Sequence, residues 1–191
     1  MTTAPFACIA PILLVAALPL SRDPHSLTRE DQEIETDRIR KTEALTATWS
    51  LEQKTALREL FSAGEAFFLA EVSAQEQWNH HVYRQGVSDA LDDLFEQVRA
   101  FESGTLPEDA DFATADREMG AILASLLRDE RVTRSPQLAS HLRESQARWT
   151  RFRDAWARFG TTRYSRTSLA PWKTWLTRER NGELRLLTDE K

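Results

Sequence analysis

The feature that most constrains the fold is a stretch in the second half whose apolar residues recur at alternating steps of four and three. This spacing marks one face of a long α-helix that packs lengthwise against another helix, and it does not fit the two-residue period of a strand. Ser135 followed by Pro136 suits the start of this helix, because proline at the first helical position leaves no N–H unpaired. The seam consists of Leu138, Leu142, Ser145, Trp149, Phe152, Trp156 and Phe159.

Helical patterns occupy most of the remaining chain as well. Ser50 and Gln53 form a capping box, and the helix that they open is predicted to run to about Tyr83. Gly86 is expected to interrupt the pattern before a third helix over residues 88–101. Three further helices are predicted, from Ser26 or Thr28 to about Thr48, from about Asp111 to Asp129, and from Ser168 onward.

Composition agrees with a helical protein. The 191 residues include 6 glycines and 7 prolines, too few for a turn-rich sandwich or barrel. The sequence therefore predicts an all-α fold, an elongated bundle of about six helices.

The two halves resemble each other when the first is shifted by 85 residues. The helix starts then coincide, and several identical residues fall opposite each other. We interpret this as a duplication of a three-helix unit, giving one unit over residues 27–103 and another over residues 111–188. An irregular six-helix bundle without duplication is the alternative. The matched pairs include Asp31 with Asp116, Ser50 with Ser135, Leu57 with Leu142, Phe67 with Phe152, and Leu91 with Leu176.

The N-terminus carries an uncharged, mostly apolar segment from Ala4 to Leu20. Its length suits a secretory signal and is short for a membrane-spanning helix, which its three prolines would also weaken. Residues 1–20 are therefore predicted to be a cleaved signal peptide, leaving a periplasmic or secreted chain with no membrane span. The alternative is an apolar tail or a misassigned start. Cleavage would remove Cys8, which is the single cysteine.

No motif for catalysis or for cofactor binding is found in the sequence. Glu76 with His80 and His81, and His141 with Glu144, have spacings that invite a metal site, but neither set has an evident third ligand. We therefore expect no catalytic residue, no cofactor and no metal.

Three stretches of the second unit carry a family resemblance. The central one places Leu142, Gln146, Trp149 and Phe152 before an Arg153-Asp154-Ala155 triplet. The outer two run from Ala115 to Met119 and from Leu176 to Leu184. Together they resemble the LprI family of small exported helical domains, which are of the lysozyme-inhibitor type. The resemblance implies a lysozyme-inhibitor-like role, and we interpret the central motif as mainly structural, with Arg153 and Asp154 in an ion pair that holds two helices.

The chain departs from this family at two positions. The family usually has cysteines, which can pair, directly after the Arg-Asp-Ala triplet and four residues before the Leu-Thr of the last motif. Here those positions are Trp156 and Trp172. We hypothesise that the two indoles fill the space between the last two helices.

Charge is distributed unevenly along the chain. Residues 1–134 hold 13 Lys and Arg against 24 Asp and Glu, a net charge of −11, whereas residues 135–191 hold 12 against 6, a net charge of +6. The basic helices either pack beside the acidic ones or form a surface for an anionic partner. The acidic part could equally attract a basic protein such as a lysozyme. A total of −5 gives no indication of nucleic-acid binding.

These observations favour an exported, non-catalytic binding protein of the cell envelope, with a lysozyme or another envelope protein as the partner. The alternative is a structural envelope protein that binds anionic surface polymers through residues 135–191. An enzyme is the least favoured class, and the sequence leaves the oligomeric state open.

The signal-peptide interpretation makes a direct prediction. Protein purified from its native host should begin between Leu18 and Ser21, because the small residues around position 16 suit signal peptidase. Intact mass spectrometry measures this start. A full-length chain recovered from the cytoplasm would contradict the prediction.

Overall fold

The computed structural model describes residues 29–73 and 80–189. Within these two ranges every regular element is a helix and there is no strand, which confirms the predicted all-α class. Seven helices are present in the described part: α1 (Arg29–Thr46), α2 (Leu51–Ser73), α3 (His80–Ser103), α4 (Phe112–Leu126), α5 (Glu130–Thr133), α6 (Pro136–Arg163) and α7 (Leu169–Asp189).

Side-chain caps set the predicted helix starts. The Ser50 hydroxyl accepts from the Gln53 backbone amide at 3.2 Å, and the Gln53 side-chain Oε1 accepts from the Ser50 backbone amide at 3.1 Å. These two bonds form the capping box of α2. Ser135 accepts from the Leu138 amide at 3.2 Å at the start of α6, and Asp111 caps α4 in the same way. The three starts are therefore confirmed.

The predicted interruption of the helical pattern at Gly86 is wrong. The helix opened by Ser50 is described over Leu51–Ser73, and its predicted continuation to Tyr83 passes through residues 74–79, which lie outside the described residues. Gly86 lies inside α3 and does not interrupt it. A single glycine in a helix costs only about 1 kcal/mol relative to alanine, and α3 buries Ala90, Leu91, Leu94, Phe95 and Val98 in the core.

The helix predicted from Asp111 to Asp129 is divided. α4 ends at Leu126, and Asp129 then caps the short α5 by accepting from the Arg131 amide at 2.8 Å. A side chain that caps a new helix ends the preceding one, because it gives the backbone a different hydrogen-bond partner. This division gives seven helices in the described residues, one more than expected.

The centre of the bundle is the antiparallel pair of α2 and α6, which share the most extensive contact. α3 packs on α2 and also contacts α1, whereas α7 packs on α6 and also contacts α4. The contacts of the central pair run in opposite order along the two helices, joining Glu59 to Arg158, Phe67 to Phe152, and Glu71 to Ser145.

One end of the core is aromatic. Trp156 and Trp172 are both fully buried, and their rings stack 5.8 Å apart at an angle of 12°. Phe101 packs edge-on against both rings, at 5.8 and 5.0 Å. The two indoles therefore fill the space between α6 and α7, as the hypothesis required. Trp149 also lies in the core and is 3% exposed.

Gly160 makes room for this aromatic pair. A Cβ atom at Gly160 would lie 2.2 Å from Cε2 of Trp172, far inside van der Waals contact. Only a residue without a side chain lets the indole of Trp172 lie directly on the α6 backbone. Gly120 in α4 has the opposite surroundings, because a Cβ there would meet no atom within 4 Å.

Alanine at these two glycines should change stability in opposite directions. Gly160→Ala forces Trp172 to move and should lower the free energy of unfolding by about 1–3 kcal/mol. The control, Gly120→Ala, should raise it by about 0.5–1 kcal/mol because alanine favours the helix. Chemical denaturation followed by tryptophan fluorescence measures both. A neutral Gly160→Ala variant would contradict the tight packing of Trp172.

Candidate functional site

The residues of the central motif lie mainly in the interior. Trp149 and Phe152 are each 3% exposed, and Arg153 is also buried. Leu142 and Gln146 are partly buried, and the Gln146 amide lies 3.2 Å from the Met119 sulfur of α4. A partner could reach little of this motif, so a binding surface must be sought elsewhere.

Arg153 connects α6 to α4. Its guanidinium lies between the rings of Phe112 and Trp149, 4.9 and 5.2 Å from their centroids. It donates to Asp116 of α4 and to the neighbouring Asp154, at 3.1 Å in each case. A buried arginine is tolerated when carboxylates neutralise its charge and aromatic faces attract it. The geometry is that of an ion pair between two helices, with Asp154 orienting the arginine from within α6.

A second buried arginine joins the two halves of the chain. Arg180 of α7 is 4% exposed and donates to both carboxylate oxygens of Glu71 in α2, at 3.0 and 3.2 Å. Glu183 accepts from the same guanidinium at 2.8 Å, and the Ser145 hydroxyl donates to Glu71. We call Glu71, Ser145, Arg180 and Glu183 the polar node.

Sequence reasoning missed Glu71. It follows Phe67 by four residues, so a carboxylate lies on the apolar face of α2. That position was the available signal, since a carboxylate on a packed face requires a cation. Its partner comes from a helix 109 residues away in sequence, which periodicity within α2 does not reveal.

Glu71 and Arg180, the central ion pair of the polar node, both remain ionised. Burial raises the pKa of Glu71, but the charge of Arg180 and the hydrogen bonds from Arg180 and Ser145 outweigh it and hold the pKa below 4.5. Burial lowers the pKa of Arg180, but Glu71 and Glu183 outweigh it and raise the pKa overall.

The basic C-terminal helices are neutralised by acidic residues from earlier elements. This arrangement agrees with the first account of the uneven charge, in which basic helices pack beside acidic ones. It leaves the alternative function, a basic surface for anionic polymers, without support. The pairs between the two parts of the chain are Asp116 with Arg153, Glu59 with Arg158, Glu102 with Arg163, Asp109 with Arg178, Glu71 with Arg180, and Glu118 with Arg185.

An exposed surface with negative charge lies on α3. Asp92 accepts from the buried Arg38 of α1 at 2.9 Å, and Glu96 accepts from Arg99 at 2.6 Å. Burial and the neighbouring carboxylates raise the pKa of Asp93, so repulsion among like charges is present in the folded protein. We call this surface the acidic face, and it comprises Asp89, Asp92, Asp93 and Glu96.

The described residues cover only part of the candidate metal-binding sets. Glu76 lies outside the described residues, and His80 and His81 begin α3 with only their backbone described. No group of three or more metal-ligating side chains occurs elsewhere in residues 29–73 and 80–189, which include His141 and Glu144.

The polar node should contribute to stability in a pH-dependent way. Glu71→Gln removes one of two carboxylates on buried Arg180, and should lower the free energy of unfolding at pH 7 by about 1–3 kcal/mol. The Glu71 side chain is 36% exposed, which limits the loss. Because its pKa is lowered by folding, the stabilisation is complete above the ordinary value of 4.5 and declines as the pH falls through the lower folded value.

Denaturation of both proteins between pH 7 and pH 3 measures this difference. Glu59→Gln is the matched control, because Glu59 pairs with Arg158 on the exposed side of the same helix pair. It should cost about 0.5 kcal/mol or less. Equal losses in the two variants would show that Arg180 does not depend on Glu71.

Comparison of the whole chain with known proteins finds no match among curated proteins or solved structures. None of the described helices is long and apolar enough to cross a membrane. A family model described as lysozyme inhibitor LprI matches residues 108–188, the region that contains all three motifs. The family model and the three motifs of the sequence thus indicate the same family for residues 108–188.

Proposed function

We propose that this protein is an exported, non-catalytic binding protein that inhibits a lysozyme. The observation that carries the proposal is the match of residues 108–188 to the lysozyme inhibitor LprI family. The apolar N-terminal segment supports export, because a protein that meets a lysozyme must reach the periplasm or the outside of the cell. The proposed localisation is therefore periplasmic or secreted.

The acidic face of α3 is the proposed contact surface. The central motif is mainly buried, and the C-terminal arginines of the six ion pairs are engaged within the protein. The four carboxylates of the acidic face are exposed together on one side of one helix, although Asp92 also pairs with Arg38 and Glu96 with Arg99. A concentration of negative charge attracts a basic protein over several ångströms and speeds the encounter.

Comparison of the two halves supports this choice. Under the 85-residue shift, three carboxylates of the acidic face fall opposite residues of α7 that are at most 1% exposed. α4 packs extensively on α7, whereas α1 makes only a small contact with α3. The same helix face is thus packed in one half and charged and open in the other. The corresponding pairs are Asp89 with Thr174, Asp92 with Thr177, and Glu96 with Asn181.

The raised pKa of Asp93 gives the acidic face a further property. Asp93 releases its proton less readily than an ordinary aspartate, because burial and three neighbouring carboxylates oppose its charge. The ionised form therefore costs folding free energy at neutral pH. A cationic partner would relieve this repulsion, which gives a physical reason for keeping four carboxylates together on a surface.

Removing charge from the acidic face should weaken lysozyme inhibition. The test variant combines Asp89→Asn, Asp93→Asn and Glu96→Gln, and keeps Asp92 because it holds Arg38. Association with a basic lysozyme should slow by about tenfold at low salt, and the difference should shrink near 0.15 M salt, where the Debye length is about 8 Å. Stopped-flow association and a cell-wall lysis assay measure the two effects.

Arg143→Gln with Arg151→Gln is the matched control, because both arginines are exposed on α6 and lie far along the chain from α3. This control should leave association unchanged or slightly faster. A wild-type protein that fails to inhibit would refute the proposed function. Inhibition that the acidic variants leave unchanged would refute only the assignment of the surface.

A further inference from the structure

A pocket of about 320 Å³ lies between the last turns of α1 and the first turns of α2. It exists because α1 packs on α3 and makes no extensive contact with α2, although the two helices are joined by a short turn. This volume is at the lower end of the range for small-molecule sites. The lining residues are Thr42, Glu43 and Thr46 from α1, and Lys54, Leu57, Arg58 and Phe61 from α2.

The pocket has charges of opposite sign on its two walls. Glu43 lies on the α1 wall, and Lys54 and Arg58 lie one turn apart on the α2 wall. None of the three forms an ion pair, in contrast to most arginines in the described part of the chain. The guanidinium of Arg58 donates only to the Lys54 carbonyl and the Thr55 hydroxyl, at 3.3 and 3.1 Å. Two cations and one carboxylate thus remain available to a ligand.

The rest of the lining is apolar or weakly polar. Leu57 and Phe61 belong to the core and also line the pocket. The Thr46 hydroxyl donates to the Thr42 carbonyl at 2.8 Å, which leaves its oxygen free to accept from a ligand. A suitable ligand therefore needs an apolar body as well as charged ends.

We propose that this pocket binds a small zwitterion with an apolar body, of which a dipeptide is the simplest example. Its carboxylate would contact Lys54 and Arg58, its ammonium group would contact Glu43, and its side chain would lie on Leu57 and Phe61. A zwitterion gains an ion pair on each wall, whereas an uncharged ligand gains none and a ligand with only negative charge would face repulsion from Glu43. This site is separate from the acidic face and does not depend on the proposed function.

The test titrates the dipeptide alanyl-leucine into the full chain and follows binding by calorimetry or by NMR. From its size, a Kd on the order of 1 mM is expected. Acetylation of the dipeptide amine, or amidation of its carboxylate, should each weaken binding by about fivefold, as loss of one partly exposed ion pair does. No binding at 50-fold above this Kd would overturn the proposal.

Matched variants identify which wall holds which charge. Lys54→Gln with Arg58→Gln should weaken binding of alanyl-leucine and have no further effect on the amidated dipeptide. Glu43→Gln should weaken binding of alanyl-leucine and have no further effect on the acetylated one, because interacting partners are not additive. Arg143→Gln, an exposed arginine on α6, should change nothing. Binding that these pocket variants leave unchanged would place the dipeptide elsewhere and refute the site.

Discussion

The packing of α2 against α6 is the contact on which the rest of the structure depends. Phe67 and Phe152 stack at its centre, 5.7 Å apart and at 16°. Gly64 permits this approach, because a Cβ there would lie 3.2 Å from Phe152 and 3.1 Å from Leu94. Since α3 packs on one member of the pair and α7 on the other, this contact makes one core out of both halves. The contact also buries the apolar face of α6, which contains the central motif of the family resemblance.

The same contact supports the hypothesis of an internal duplication. α2 and α6 correspond under the 85-residue shift, they pack antiparallel, and the corresponding residues Phe67 and Phe152 meet at their crossing. A duplication would relate these two helices by an approximate twofold axis. Under the same shift Glu71 corresponds to Trp156, so a carboxylate of the polar node aligns with an indole of the aromatic end of the core.

Local features of the sequence determined what could be predicted. Helix starts at Ser50, Asp111 and Ser135 follow from side chains that bind nearby amides, and the seam through Trp149 follows from helical periodicity. The ion pair of Glu71 with Arg180, the fit of Gly160 to Trp172 and the pocket beside Glu43 depend on segments distant in sequence. Gly86 was misjudged for a related reason, because packing of α3 outweighs the preference of one residue.

The pair of Trp156 and Trp172 stabilises the bundle without the oxidising compartment that a disulfide at these positions would require. A disulfide typically adds about 2–4 kcal/mol, largely by restricting the unfolded chain, and it requires an oxidising compartment. Stacked indoles add about 0.5–1.5 kcal/mol beyond their burial, and they require only close packing. The Trp172 N–H donates to Thr167 at 2.9 Å, whereas the buried Trp156 N–H finds no partner among the described residues, which offsets part of the gain. Stability at this end of the bundle therefore depends on the fit of Trp172 to Gly160, and not on the redox state of the compartment.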